Sequence, residues 1–469
     1  MMKRLVLSFI VVAVGLPLGG CGESGQKPNV VLIVIDSLRA DGLGCYGDEP
    51  SPSPAIDRLA EEGVRFERAV APASWNLPSV SSLITSAPPW VHGQGAPATG
   101  ATEVATLAET FAAAGYRTGA FTETAWPLLQ RGFETFQNTA FGHTFGDPEA
   151  NSADRTLEAA LEWAREDGSK PFFLLVHTYE VHSYFLGKPR HRERARAEHP
   201  DYEGPFREWA IRDFSRPAGP QVIEALLQAD EDDLAYVRSL YRGAVAEADA
   251  AVGRFVEGLQ QGGLDEGTIL TLTSSNGEGF RPDLKRVHHG GRLHHDLLHV
   301  PLIVRWPGRL EPAVNGSLVA TLDVAPTLVE LAGLPEQPLF TGRPVVAPEG
   351  GLGSLFHGPR FHAPKLTKEP IVAEEAAFRI LPSGEREPAT GPQYALYLDW
   401  VTFIDSGDHT ELYDLKDDPE QEVDRSGEHV KGVKGLRKQV RRIAESTGAD
   451  ADAPDAEQLE QLRSLGYVQ

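Results

Sequence analysis

The residues of this sequence best placed for chemistry stand where apolar runs end. Asp36 follows Asn29–Ile35, a run of β-branched and apolar side chains. Such a run predicts a strand buried on both faces, as in a parallel sheet. Sites in open α/β sheets collect outside the carboxyl ends of strands, so Asp36 is a candidate for holding a cation or a reacting group. Thr268–Thr273 predicts another strand and delivers Ser274, Ser275, Asn276, Gly277 and Glu278 at its end. Pro171–His177 predicts a third, followed by Glu180-Val181-His182-Ser183-Tyr184. Two histidine pairs, His288-His289 and His294-His295, carry imidazoles of the kind that bind transition metals. Lys285 and Arg286 before them either steer an anion or are solvated. Cys45, in Gly-Cys-Tyr-Gly, is expected to be a buried, inert thiol.

The elements that must position these groups alternate. Helices are expected at Ala55–Gly63, Val104–Ala114, Leu157–Arg165 and Asp230–Gln261, and further strands at Tyr116–Thr122 and Val300–Arg305. Val319–Gly333 holds a short strand and a helix. This alternation implies an α/β sandwich with a mostly parallel central sheet flanked by helices. Gly187–Pro220 carries Arg190, Arg192, Arg194 and Arg196 at alternate positions and is expected to be an irregular surface insertion, solvated or touching a substrate or polyanion. Beyond about Pro335 come short strands at Ile371–Ala373, Tyr394–Asp399 and Trp400–Asp405, then helices, which implies a smaller C-terminal α+β subdomain.

With 469 residues, 41% of them hydrophobic, the chain is long enough for a large core and too apolar for a disordered one. Its 44 basic and 67 acidic residues leave a net charge of −23, which argues against nucleic-acid binding. Two cysteines, Cys21 and Cys45, exclude a disulfide scaffold. Lys3-Arg4, the apolar stretch Leu5–Leu18 and Leu18-Gly19-Gly20-Cys21 make a signal peptide ending in a sequence that resembles a bacterial lipobox. Lipidation of Cys21 would tether the chain to the periplasmic side of an envelope membrane. Gly22, rather than Asp, after the cysteine slightly favours the outer membrane.

Four segments, in order, resemble the sulfatase family of the alkaline phosphatase superfamily. They are Asp36–Gly47, Ala71–Ser79 continuing to Leu83-Ile84-Thr85, Phe172–Tyr184, and Thr273–Glu278 with His289-Gly290 and Val300-Pro301-Leu302 downstream. Ile56–Phe66, Asp323–Leu328 and Glu411–Leu415 support them. The resemblance implies an alkaline-phosphatase-like fold and hydrolysis or transfer of sulfate or phosphate esters. A hydroxyl-type nucleophile would attack in line, aided by a divalent metal and by histidines. Carried over position by position, Asp36 and Ser37 fall at the first metal ligands, Ser275 and Asn276 at the second pair, His182 and His289 at the family's histidines, and Asn76 at the nucleophile. An amide is no nucleophile, and Val80 stands where formylglycine formation needs a basic residue, so no formylglycine is expected. Ser275 replaces a carboxylate, so Ca²⁺, Mg²⁺, Mn²⁺ or Zn²⁺ would bind with only about millimolar affinity. Glu123-Thr124-Ala125 replaces the family's Lys-Trp-His. In the loop with the two histidine pairs, only His289 is expected to face the pocket.

The implied organisation is a signal peptide (1–20), a tether (21–28), a sulfatase-like domain (29–335) and a C-terminal subdomain (336–469). Two functions are open: an envelope-anchored ester hydrolase or transferase with an atypical site, and a protein that keeps the fold but acts by binding a sulfated or phosphorylated small molecule or glycan. Asn76 and Ser275 favour the second.

Overall fold

The computed structural model describes residues 27–94, 104–140, 151–166, 168–209, 218–348, 360–366, 370–375, 378–380, 386–388 and 391–445. The signal peptide, Cys21 and most of the tether lie outside them. Strands β1 (Asn29–Ile35), β2 (Val64–Val70), β3 (Arg117–Thr122), β4 (Thr135–Asn138), β5 (Phe172–Thr178), β6 (Thr268–Thr273), a short hairpin of β7 (Phe280–Arg281) and β8 (Arg286–Val287), β9 (His299–Arg305) and β10 (Ala313–Ala320) follow in order. Eight of them form one sheet, in the order β10-β2-β9-β6-β1-β5-β3-β4. It is parallel except at β9, which runs against both β2 and β6.

β1 lies at the centre, paired with β5 and β6. Its side chains alternate between two cores. Val31, Ile33 and Ile35 face a cluster built with helices α1 (Pro54–Glu61), Ala153–Glu166 and Glu231–Gln261. Val30, Leu32 and Val34 face another, built with α2 (Asn76–Thr85) and the helices Leu107–Ala113 and Val324–Leu331. A sheet covered on both faces needs strands apolar on both faces. That is why β1, β5 and β6 stand out as uninterrupted runs.

Some expectations need correction. The helix expected from Val104 begins at Leu107, because Thr106 and Glu109 form a reciprocal capping box there. Within the basic segment 187–220, Pro189–Glu198 is not irregular but a helix packed on Glu231–Gln261, close enough that a Cβ on Gly243 would meet the His191 backbone at 2.9 Å. Its arginines are consumed by neighbouring acids, Arg190 by Glu247, Arg192 and Arg196 by Glu208, and Arg194 by Glu198. Beyond residue 335, Val345, Val346 and Phe361 pack into the second core, so part of the segment assigned to the C-terminal subdomain belongs by packing with the main sheet.

The small antiparallel sheet comprises Ile371–Glu375, Gln393–Leu398, Val401–Asp405 and Thr410–Asp414. Helix Val430–Glu445 covers it, with Arg437 and Arg441 on Asp405. No helix among the described residues is long and apolar enough to cross a membrane.

Candidate active site

The sheet's C-terminal edge assembles the site. Asp36 continues the β1 ladder by one bond, its N–H donating to the Thr178 carbonyl at 2.9 Å. The chain then turns sharply at Ser37, a non-glycine residue with φ 58°. Tyr241, on the long helix, locks that turn: its hydroxyl donates to the Ser37 carbonyl and accepts from the Arg39 N–H, both at 2.9 Å. The Leu38 N–H donates to Ser274 Oγ at 3.0 Å, tying the β1 turn to the segment after β6.

Asn76 opens α2. Its Oδ1 accepts from the Leu77 N–H at 2.8 Å, and its Nδ2 donates to Asp36 Oδ2 at 3.1 Å. Ser275 donates to the other Asp36 oxygen and lies 2.8 Å from Asn276 Oδ1. Asn276 Nδ2 donates to the Gly277 carbonyl at 2.8 Å and approaches Ser37 Oγ at 3.4 Å. His182 and His289 stack at a tilt, ring centroids 4.9 Å apart. Asp36, Ser37, Asn76, Ser275, Asn276 and His289 are all at most 2% exposed, so the pocket is closed to bulk water; His182 alone keeps part of its surface open. All seven predicted positions thus gather at one place.

Three more residues belong there. His177, the penultimate residue of β5, holds Nε2 3.8 Å from Asp36 Oδ1. Its signal was a lone polar residue closing an apolar run. Glu278 and His288 form the other wall. Gly290 and Gly291 follow the pairs β7–β8 in a left-handed turn, and His288 itself has φ 58°. The hairpin pairs Phe280 with Val287, and the His288 N–H donates to the Gly279 carbonyl at 2.9 Å. That register carries Glu278 back against His288 and His289, whose Nδ1 atoms lie 3.1 and 2.8 Å from its two oxygens. Nine and ten residues of intervening chain hid these two pairings.

The expectation that only His289 faces the pocket is therefore too narrow, since His288 reaches Glu278 beside it. The other pair is elsewhere: His294 lies 2.8 Å from Glu411, and His295 stacks on His299. Arg286 is spent on the Tyr413 hydroxyl and the Gln421 carbonyl rather than solvated. Cys45 is half-buried, and burial next to Asp57 pushes its thiol up to about 12, an inert group. Glu123 turns inward, capping the Tyr179 N–H at 2.7 Å.

Burial pushes the Asp36 carboxyl up, but His177, His182 and the Ser275 hydroxyl outweigh it and hold it below its ordinary range. Glu278 behaves alike, its burial overcome by His288 and His289. Burial, then the neighbouring His289, pushes His182 down. Asp36 is thus ionised, and its two oxygens already accept from neutral donors. A hard cation wants 6–8 oxygens with several charges. One carboxylate, already bonded to an amide and a hydroxyl, falls short of such a cage, in keeping with the weak site that Ser275 led one to expect.

The family model for sulfatases matches residues 28–334. Human arylsulfatase A is 28% identical over 342 residues, covering 66% of this chain and 65% of its own; the match thus spans just under two thirds of that relative. An N-acetylgalactosamine-6-O-sulfatase of Bacteroides thetaiotaomicron is 23% identical, covering 88% of this chain and 93% of its own. The crystal structure of a phosphonate monoester hydrolase of Agrobacterium radiobacter superposes with a TM-score of 0.65 at 20% identity, covering 90% and 96% of the two chains. With its ordered segments, its covered parallel sheet and a family match over most of its length, the chain belongs to the sulfatase family of the alkaline phosphatase superfamily.

Proposed function

We propose that this chain binds a sulfated or phosphorylated ester, in a small molecule or glycan, and turns it over poorly or not at all. Members of the family typically bind a divalent metal and use an ionisable nucleophile beside it. The observation that carries the proposal is Asn76. It occupies the first position of α2, where the family places its nucleophile, and both ends of its amide are spent, on Leu77 and Asp36. Ser275 likewise covers the Asp36 oxygen that a metal would need. An amide supplies no ionisable nucleophile, and the Ser275 hydroxyl is already committed to Asp36.

What remains suits recognition. With its Nδ1 turned to Glu278, His289 keeps Nε2 as the nitrogen facing away from that carboxylate. His182, the one residue of the group that is not buried, stands beside it. Two imidazoles are apt donors for ester oxygens. The name of the Bacteroides relative, a sulfatase of N-acetylgalactosamine, favours a sulfated glycan as the ligand class. The lipobox-like end of the signal peptide supports an envelope location with Cys21 lipidated; a Cys21→Ser form that is still processed and still sediments with membranes would refute that part.

Turnover is the test. Aryl sulfate, phosphate diester and phosphonate ester substrates are offered with Ca²⁺, Mg²⁺, Mn²⁺ or Zn²⁺. Background rates are expected throughout. A robust rate abolished by Asp36→Ala would establish an active hydrolase with an atypical site.

A further inference from the structure

Asp36 and Glu278 are both fully buried, and no Lys or Arg side chain pairs with either among the described residues. Their companions are imidazoles: His177 beside Asp36, and His288 and His289 on Glu278. Buried carboxylates without a balancing cation are costly, and structures normally supply one. An anionic ester entering the same pocket would deepen the imbalance. The pocket therefore needs positive charge that its own Lys and Arg residues do not provide.

The geometry points to where that charge sits. Glu278, His288 and His289 each offer a ligand atom, and these atoms all lie within 4.8 Å of one another. The three residues are 0–2% exposed. Consecutive residues on an extended strand point to opposite faces. Here the left-handed backbone of His288 turns both imidazoles to one carboxylate, with ring centroids only 4.0 Å apart. A non-glycine residue holds that conformation at a cost, and such strain gathers at functional sites. The present nitrogen–oxygen separations of 2.8 and 3.1 Å are short of the roughly 3.3 Å between ligands of a tetrahedral ion with bonds near 2.0–2.1 Å, so small imidazole rotations would open the space. His182 flanks the group, and its buried Nδ1 has no hydrogen-bond partner among the described residues.

We infer that Glu278, His288 and His289 form a site for one transition-metal ion of the Zn²⁺ class, set apart from the family's carboxylate position at Asp36 and Asn276. Two imidazoles and one carboxylate select such ions over Ca²⁺ or Mg²⁺, and three protein ligands leave a position open. The ion balances Glu278 and prepares the pocket for an anion. This holds whether or not the pocket turns an ester over.

Calorimetric titration of the chelator-treated full chain with Zn²⁺ alone tests it. One ion per chain is expected, with Glu278→Gln and His288→Ala each weakening binding by about 100-fold, and His294→Ala, in the other histidine pair, without effect. In the unaltered protein, one equivalent of Co²⁺ should give the intense visible absorption of a four-coordinate site, a readout that needs no variant to fold. Absence of stoichiometric binding, or of that spectrum, would overturn the inference. So would binding that survives Glu278→Gln but is lost in Asp36→Ala, because the ion would then occupy the family position.

Discussion

Asn76 and Ser275 act as a pair because both are bonded to one carboxylate. Asn76 covers Asp36 Oδ2 and Ser275 covers Oδ1, so each Asp36 oxygen already accepts from a neutral donor. If these two residues are what silences the site, two substitutions should revive it. Asn76→Thr supplies an ionisable hydroxyl at the start of α2, and Ser275→Asp returns a second carboxylate next to Asn276. Each alone should change little, since nucleophile and metal act as a unit and such effects are strongly non-additive. Together they should raise hydrolysis of a chromogenic phosphate diester at least about tenfold over either single variant. A wild type faster than the double variant would show that these residues are not the defect. Asp36, Ser275 and Asn276 were legible in the sequence because each sits where an apolar run stops. Glu278 and His288 were visible as candidates, but their pairing was not, because what joins them is a hairpin register and a left-handed turn, and neither leaves a periodic trace.

At the scale of elements, the same distinction holds. β1, β5 and β6 are buried on both faces and announce themselves as continuous apolar runs. β2, Val-Arg-Phe-Glu-Arg-Ala-Val, carries Arg68 paired with Asp399, and the adjacent charges Glu67-Arg68 break its apolar alternation, so it passed unnoticed as a strand. The antiparallel direction of β9 was equally invisible, since an apolar run carries no direction. The helix Pro189–Glu198 was missed because its cohesion comes from ion pairs to other elements instead of an apolar stripe. The β7–β8 hairpin rests on one tight approach. A Cβ on Gly279 would stand 2.2 Å from Arg292 Nη2 and 2.8 Å from the carbonyls of Arg286 and His288. Arg292 is held by Asp296, so it cannot simply swing away. Gly279→Ala should therefore destabilise the fold by about 2 kcal/mol, as overpacking typically does, and shift the histidine pair off Glu278. Chemical denaturation reports the first effect and histidine chemical shifts the second. An alanine variant of unchanged stability would mean that the hairpin adjusts freely.

The whole molecule is joined at the pocket. The Glu374 N–H donates to the Pro72 carbonyl at 2.9 Å, so strand Ile371–Glu375 of the small sheet pairs with the loop that leads to Asn76. Glu375 Oε2 accepts from Ser74 Oγ at 2.8 Å and from the Gly291 N–H at 3.1 Å, gripping both that loop and the histidine turn. The junction contains a titratable weakness. Glu374 is buried, and burial, reinforced by the adjacent Glu375, raises its carboxyl to about 8. Between its ordinary value of 4.5 and about 8, the folded chain keeps a proton that the unfolded chain has released. The unfolded state then binds fewer protons, so stability falls as pH rises across that window. His92 has the opposite sign. Buried, with Nε2 2.8 Å from Ser82 Oγ and Nδ1 accepting from the Gln94 N–H, it is pushed down to about 3, so its contribution is lost as pH falls from 6.5 toward that value. Glu374→Gln keeps the shape and removes the charge. It should raise stability by only about 1 kcal/mol at pH 5 and by about 4 kcal/mol at pH 8, several degrees in Tm. Melting curves of both proteins from pH 5 to 8 decide it: parallel curves would mean that Glu374 titrates normally and that the junction tolerates its charge.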